Sequence, residues 1–239
     1  MKSAIVTGAS SGIGLAITKK LNQMGFQVYG LARDFSKTDY EHDSFYKIAC
    51  DITNTKQLVE VIKQIKEQAK EIFILINNAG VGYFGPHETL SIKEIETMVA
   101  TNLQAPLILS NLLLRDLRQS KGYVINISSI TAKKSSTFGC AYSATKAGLS
   151  HFGISLFEEV RKSGVKVVTI HPDITQTPFY EYLDFKEGDL PESYITVDCV
   201  ANAVETILSQ RGGTVITELT IQPQRHMITK KNKQKKETK

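Results

Sequence analysis

Short runs of apolar, often β-branched residues alternate along the chain with longer segments whose apolar residues recur at helical spacing. The short runs cover residues 4–7, 27–32, 45–50, 72–76, 123–127 and 166–170, with a further candidate at 219–222. The helical segments cover 13–24, 56–70, 92–117 and 142–162, and the third predicts two helices that meet near residue 101. This alternation is typical of βαβ units.

The apolar runs do not alternate between apolar and polar positions. The fourth run reads Ile-Phe-Ile-Leu-Ile, so we expect both faces of its strand to be buried beneath helices, as in a parallel sheet. The sequence therefore predicts an α/β fold of Rossmann-like topology, a doubly wound parallel sheet of about seven strands with helices on both faces. Ligands of such folds bind at the carboxyl ends of the strands. Because neither a repeat nor a linker divides the chain, residues 1–226 are predicted to form one domain.

The positive charge of the chain is concentrated near its end. The net charge is +5, and residues 230–239 contain six lysines and one glutamate, so acidic and basic side chains balance elsewhere. A neutral body argues against nucleic acid as a partner. Residues 227–239 are predicted to be a disordered basic tail.

Cysteines and histidines show no pattern of a metal centre or a disulfide framework. The three cysteines, Cys50, Cys140 and Cys199, lie far apart, and the five histidines lack the paired spacing of metal-binding helices, so we expect no metal and a reducing compartment. No run approaches 18 apolar residues, and the first residues leave no room for a signal peptide. The sequence thus predicts a cytoplasmic protein without a membrane segment.

Three glycines mark the turn between the first strand and the first helix. The turn reads Thr-Gly-Ala-Ser-Ser-Gly-Ile-Gly and contains Gly8, Gly12 and Gly14. Glycines here let the backbone approach a pyrophosphate, which the amides and dipole of the following helix attract. A glycine-rich turn is by itself also compatible with a simple tight turn. Its place in the first βα unit favours a dinucleotide.

Two charged residues follow the second strand and favour different cofactors. Arg33 would pair with the 2′-phosphate of NADP, whereas Asp34 would accept from the ribose 2′-hydroxyl of NAD. The strand itself ends in a neutral alanine, which favours the arginine. We therefore expect NADP, with NAD as the alternative.

A tyrosine and a lysine four residues apart open the last long helix. Tyr142 and Lys146 lie on one helical face, where an ammonium would stabilise a phenolate and lower the tyrosine pKa. This spacing is common on ordinary helices. The preceding strand, however, ends in the hydroxyls of Ser128 and Ser129, at the edge where such folds place their chemistry.

These motifs together resemble the short-chain dehydrogenase/reductase family, in the family's order and over residues 3–222. The resemblance rests on the glycine turn, on Asn-Asn-Ala-Gly at 77–80, and on four later polar residues, Asn102, Ser129, Tyr142 and Lys146. It implies a catalytic set of Ser129, Tyr142, Lys146 and Asn102, in which Asn102 holds a water that connects Lys146 to solvent. It also implies that Asn77 ties neighbouring strands together.

The same resemblance implies where NADP(H) lies. Asp51 would contact adenine, residues 78–80 would follow the adenosine, and Thr177 would contact a phosphate or the amide. The implied contacts are Gly8, Ser10, Ser11, Gly12, Ile13, Gly14, Arg33, Asp51, Ile52, Asn78, Ala79, Gly80, Tyr142, Lys146, Ile174 (through its backbone) and Thr177. Asp173 replaces the glycine that usually follows Pro172, and this puts the backbone geometry of that turn in question.

Substrate and assembly are less constrained by the sequence. Residues 177–196 are rich in aromatics and predict either a mobile lid or short surface helices packed on the body. The C-terminal sequence is similar to the branch that oxidises 3-hydroxy acids and to broad carbonyl reductases, and we expect a small, polar hydroxy or oxo substrate. The alternatives are a 3-oxoacyl reductase, a sepiapterin-like reductase, or a binding protein that senses the dinucleotide without catalysis. The family also implies a homodimer or homotetramer through the two long helices.

Overall fold

The computed structural model describes residues 1–231. The strands are β1 (Ser3–Thr7), β2 (Gln27–Ala32), β3 (Phe45–Ala49), β4 (Ile72–Asn77), β5 (Tyr123–Ile127), β6 (Lys166–Pro172), β7 (Phe185–Glu187), β8 (Glu218–Ile221) and β9 (Ile228–Lys230). The helices are α1 (Gly12–Gln23), α2 (Thr55–Gln68), α3 (Ile92–Val99), α4 (Ala105–Ser120), α5 (Cys140–Val160) and α6 (Val197–Leu208).

Seven strands form one parallel sheet in the order β3-β2-β1-β4-β5-β6-β8. Helices α1 and α6 pack on one face of the sheet, and α2, α4 and α5 pack on the other. Strand β1 is buried along its whole length, because both faces are covered. The predicted doubly wound fold is confirmed, and the carboxyl ends of β1, β4, β5 and β6 meet at one edge.

The predicted break in the third helical segment is a π-helical turn. It spans Ala100–Gln104 between α3 and α4 and carries Asn102. By length and composition alone, the stretch Ile92–Ser120 would suffice to cross a membrane. Its leucines at 109, 113 and 117 are instead fully buried against the sheet, as in a core helix.

The predicted tail boundary at residue 226 is wrong for the residues that follow it directly. Strand β9 pairs antiparallel with β7, and the Lys231 amine donates to the carbonyls of Tyr180 and Glu181. Backbone hydrogen bonds, rather than apolar burial, hold this segment, so its polar composition gave no sign of order. The rest of the predicted tail, 232–239, lies outside the described residues.

Candidate active site

The glycine turn has the backbone geometry of an anion site. Gly8 and Gly12 have φ angles of +67° and +53°, which glycine adopts readily. A Cβ on Gly14 would lie 2.1 Å from the Gly8 carbonyl oxygen, so no larger residue fits. Ser11 at the N-cap makes no side-chain bond to α1, which leaves the first amides of the helix to a ligand.

Polar side chains tie the end of β1 to the segment after β4. The Thr7 hydroxyl accepts from the amides of Asn78 and Ala79, each at 3.0 Å, and Asn78 Nδ2 donates to the Thr7 carbonyl at 2.8 Å. Asn77 donates to Asn126 Oδ1 at 2.9 Å, which bridges β4 and β5 as expected. The glycine turn and residues 77–80 therefore form one rigid edge.

The loop after β2 reaches back to the glycine turn. Thr38 Oγ1 donates to the Ser10 carbonyl at 2.8 Å. Both carboxylate oxygens of Asp34 are engaged by Ser36, through its amide at 2.8 Å and its hydroxyl at 2.6 Å. These bonds lower the pKa of Asp34. Arg33 is exposed beside this loop, and the hydrogen bonds between Asp34 and Ser36 do not involve it.

Asp51 and Ile52 lie at the next strand end, after β3. The Asp51 carboxylate accepts from the amide and the hydroxyl of Thr53 at 3.0 and 2.7 Å. Ile52 is buried against α2. These contacts fix the loop that, according to the resemblance, would bind the adenine.

Ser129, Tyr142 and Lys146 come together where β5 ends and α5 begins. The Ser129 hydroxyl interacts with the Tyr142 phenol and lowers its pKa. It also accepts from the amide and the hydroxyl of Thr131 at 3.2 and 3.0 Å. Lys146 Nζ donates to the Ile127 carbonyl at 3.0 Å and lies 5.8 Å from the centre of the Tyr142 ring. Ser128 binds the Lys146 carbonyl at 2.9 Å, a structural contact that orients α5.

Burial, rather than mutual attraction, dominates the acidity of this pair. It raises the pKa of Tyr142 to about 12, against the opposing hydrogen bond from Ser129, and lowers the pKa of Lys146 to about 8. The expected lowering of the Tyr142 pKa by Lys146 is therefore absent here. Both groups are cut off from water, which disfavours the charged form of each.

Asn102 clamps the segment that follows Gly80. Its Oδ1 accepts from the Val81 amide at 2.9 Å, and its Nδ2 donates to the Val81 carbonyl at 2.8 Å and to Thr145 at 3.1 Å. A Cβ on Gly80 would lie 3.3 Å from Lys146 Nζ and 3.5 Å from Asn102 Oδ1. Asn102 therefore lies near Lys146 and holds the backbone of Val81. Its role in holding a water between Lys146 and solvent stays a prediction.

Asp173 fits its turn without backbone strain. It does not adopt a positive φ angle, and its buried carboxylate contacts the Ile174 amide at 2.8 Å. The Ile174 carbonyl accepts from Ile195. Both backbone groups of Ile174 thus have partners within the chain, and its backbone contact with the cofactor stays a prediction. Thr177 lies next to the glycine turn, 3.4 Å from a Cβ placed on Gly12.

Five aromatic rings contact one another, and one of them is Tyr142 itself. We call them the ring cluster: Phe84, Tyr142, Phe179, Tyr180 and Phe185. Tyr142 is 8% exposed as a result. Most of the rings come from residues 178–194, the cover, which consists of two short 3₁₀ turns flanking β7. The predicted aromatic segment therefore packs on the body. Surface cavities of about 460 and 280 Å³ lie elsewhere, beside β3 and β8.

Two residues at the site gave no sequence signal. Phe84 precedes α3 and is far from the other rings in the sequence. His171 is fully buried, with Nδ1 3.3 Å from the Ser129 carbonyl oxygen and Nε2 3.1 Å from Glu218 Oε1. Burial lowers the pKa of His171, against the Glu218 and Ser129 contacts. Only the pairing of β6 with β8 brings these groups together.

Comparisons with known proteins agree with this geometry. The family model for short chain dehydrogenase matches residues 2–187. A serine 3-dehydrogenase from Agrobacterium fabrum is 29% identical over 230 residues, 92% of each chain. Estradiol 17-beta-dehydrogenase 2 from Rattus norvegicus is 34% identical over 185 residues, 74% of this chain and 49% of the relative.

A solved structure shares the whole fold. The alcohol dehydrogenase from the archaeon Thermococcus sibiricus, complexed with 5-hydroxy-NADP, superposes with a TM-score of 0.86 at 25% identity and covers 95% of this chain and 98% of its own. The glycine turn, the Ser129–Tyr142–Lys146 cluster and the matching family model give one conclusion. This chain belongs to the short-chain dehydrogenase/reductase family and is an oxidoreductase of that family.

Proposed function

We propose that the protein interconverts an alcohol and a carbonyl compound with NADP(H), with Tyr142 as the acid/base. The observation that carries the proposal is that the buried hydroxyls of Ser129 and Tyr142 lie together beside the buried amine of Lys146, which is 5.8 Å from the centre of the Tyr142 ring. Two hydroxyl donors at one point suit a carbonyl oxygen on which negative charge develops. The glycine turn lies at the same edge of the sheet.

The residues present fit a dinucleotide. The uncapped amides of α1 would hold the pyrophosphate. The absence of side chains at Gly8 and Gly14 lets the turn pack closely on itself and on Asn78. Asp51 and Ile52 would hold the adenine end, and Thr177 would contact the phosphate or the amide. When bound, the reduced nicotinamide supplies the hydride.

Ser129 and Tyr142 would both donate to the substrate oxygen, and Tyr142 would then give up its proton. Lys146 would stabilise the phenolate that remains, since an ammonium nearby favours the charged phenol. Because burial raises the pKa of Tyr142 to about 12, the phenol holds its proton at neutral pH.

NADP is supported over NAD by the loop after β2. The Asp34 carboxylate, which would bind a ribose 2′-hydroxyl, is already engaged by Ser36 on both oxygens. Arg33 is exposed and can pair with a 2′-phosphate. The 5-hydroxy-NADP in the Thermococcus structure supports the same preference.

The substrate, location and assembly stay predictions. The name serine 3-dehydrogenase supports the small polar substrate that the C-terminal sequence implies, whereas the name estradiol 17-beta-dehydrogenase supports an apolar one. A cytoplasmic homodimer or homotetramer remains the expectation from the family.

Tyr142→Phe tests the proposal. We expect NADPH-dependent reduction of a carbonyl panel to fall at least about 100-fold, while NADPH binding, followed by fluorescence, is unchanged. Tyr182→Phe is the control, because Tyr182 is 89% exposed. A dinucleotide sensor would bind NADPH and turn over no carbonyl in the wild type, and that result would refute the proposal.

A further inference from the structure

We infer that the substrate of this site is a neutral carbonyl compound with a flat, apolar carbon skeleton. The inference rests on the proposed hydride transfer and names the substrate class of the same site. It departs from the small polar substrate that the sequence implies.

The ring cluster is a closed circuit. Ring centres are 5.2 Å apart between Tyr142 and Phe84, 5.2 Å between Phe84 and Phe185, and 5.7 Å between Phe185 and Tyr180. Tyr180 and Phe179 are 5.3 Å apart, and Phe179 returns to Tyr142 at 6.0 Å. All five distances are those of favourable aromatic contacts. The catalytic phenol is itself a member of the circuit.

The surrounding backbone admits these rings at close range. A Cβ on Gly82 would lie 2.7 Å from both Phe84 and Phe179, and a Cβ on Gly139 would lie 3.1 Å from Phe84. Side chains at these two positions would push the rings away from Tyr142. Gly82, before α3, and Gly139, at the start of α5, therefore both make room for the ring cluster.

Phe84 and Phe179 both contact the Tyr142 ring, so a substrate oxygen that reaches Ser129 and Tyr142 brings its carbon skeleton against these rings. The skeleton then replaces ring–ring contacts. A flat, apolar group makes new contacts with the rings in place of those that it displaces. A charged or strongly hydrated group makes no such contacts and must also give up its bound water, which costs free energy.

Among the described residues near the cover, five cations have partners. Lys133 binds Glu218 at 3.0 Å, Lys134 lies 3.5 Å from Asp173, Lys186 binds Asp189 at 3.1 Å, Arg225 lies 3.7 Å from Glu192, and Lys231 donates to two backbone carbonyls. A substrate carboxylate would have to compete with these partners, or with the carbonyl that holds the buried Lys146, to gain a cation. Hydroxy and oxo acids therefore find no unoccupied cation among these residues.

Matched ketones test the inference. The probes are acetophenone and 2-acetonaphthone, each paired with the 2-oxo acid in which a carboxylate replaces the methyl group, together with 2-butanone and pyruvate. We expect kcat/KM to be highest for the neutral aryl ketones, by about tenfold or more over their acid partners. NADPH oxidation is followed for each.

Variants separate recognition from the intrinsic reactivity of the probes. Phe84→Ala and Phe179→Ala should lower the ratio of aryl ketone to oxo acid about fivefold or more, mainly through KM. Phe84→Leu and Phe179→Leu keep an apolar side chain and guard against a folding defect, and they should lower the ratio less. Tyr182→Ala, in the same cover but exposed, should leave the ratio unchanged.

The outcomes distinguish the two proposals. If pyruvate or an aryl oxo acid is preferred, and the phenylalanine variants leave the ratio unchanged, the substrate class is overturned while the hydride transfer stands. If the enzyme binds NADPH and reduces none of the probes, both this inference and the proposed function fail.

Discussion

Nδ1 of His226 lies 3.2 Å from Oδ1 of Asp173. The contact joins residues 222–231, which we call the strap, to the end of β6. Gln222 Nε2 donates to the same carboxylate at 3.2 Å, and the Arg225 amide donates to the Glu192 carbonyl at 2.9 Å. The aspartate that replaces the usual glycine is therefore the anchor by which the strap holds the cover.

Asp173→Asn should loosen the strap. The amide keeps an acceptor for Ile174 but loses the charge that holds His226 and Lys134, so we expect the free energy of unfolding to fall by about 1–3 kcal/mol. Hydrogen exchange of β7 and β9 should accelerate. Asp189→Asn is the control, since its ion pair with Lys186 is exposed and is worth under about 1 kcal/mol. Equal exchange in both variants would contradict the anchoring role.

Lys146 should make stability depend on pH. Burial lowers its pKa to about 8 from 10.5, so between these values the unfolded chain holds a proton that the folded chain lacks. The free energy of unfolding therefore rises with pH across this window, by up to about 3 kcal/mol. Urea unfolding at a series of pH values from about 7.5 to about 9.5, which covers the lower part of this window, should show the rise in the free energy of unfolding.

Lys146→Met should remove that rise, while Lys162→Met, which changes an exposed lysine, should keep it. Tyr142 acts with the opposite sign at higher pH. Because its pKa is raised to about 12 from 10.0, the folded chain keeps a proton that the unfolded chain has lost, and stability falls as the pH rises above 10. Parallel pH curves for wild type and Lys146→Met would refute the assignment.

Arg33→Ala should shift the cofactor preference. Loss of the guanidinium removes the partner of the 2′-phosphate, so we expect the KM for NADPH to rise about tenfold or more. The KM for NADH should stay unchanged, because NADH has no 2′-phosphate. Asp34→Ala is the matched variant, and because Ser36 already occupies that carboxylate, it should leave NADH use unchanged. A loss of NADH use in Asp34→Ala would favour the NAD alternative instead.

Asn102→Ala should cost both stability and activity. It leaves the amide and the carbonyl of the half-buried Val81 without their side-chain partners, and each unsatisfied group costs up to about 1–3 kcal/mol. Urea unfolding and kcat measure the two effects. Asn202→Ala, at an exposed position of α6, is the control. Unchanged stability in Asn102→Ala would show that the clamp is dispensable.

The parts of the site that depend on local spacing could be predicted from the sequence. The glycine turn follows directly from a strand and a helix start, and Tyr142 and Lys146 share a face because they are four residues apart. Strand ends of a parallel sheet meet at one edge, which places Ser129 beside them. The fold follows from the same alternation of buried strands and helices.

What depends on distant pairings could not be predicted. Phe84 meets Phe185 only through the packing of the cover, and His171 meets Glu218 only because β8 adds beside β6. The acidity of Tyr142 depends on how completely the rings exclude water, which spacing does not reveal. The strap is polar, so its order depends on an available strand edge rather than on its composition.

The pairing of β7 with β9 has a consequence for the protein during its synthesis. Strand β9 follows every other strand and helix of the described residues, whereas Tyr142 and the first six strands are made before β7. The ribbon that fastens the cover therefore forms only after the elements on which the cover packs have all been synthesised. Closure of the cover is thus the last backbone pairing that the growing chain can complete within residues 1–231.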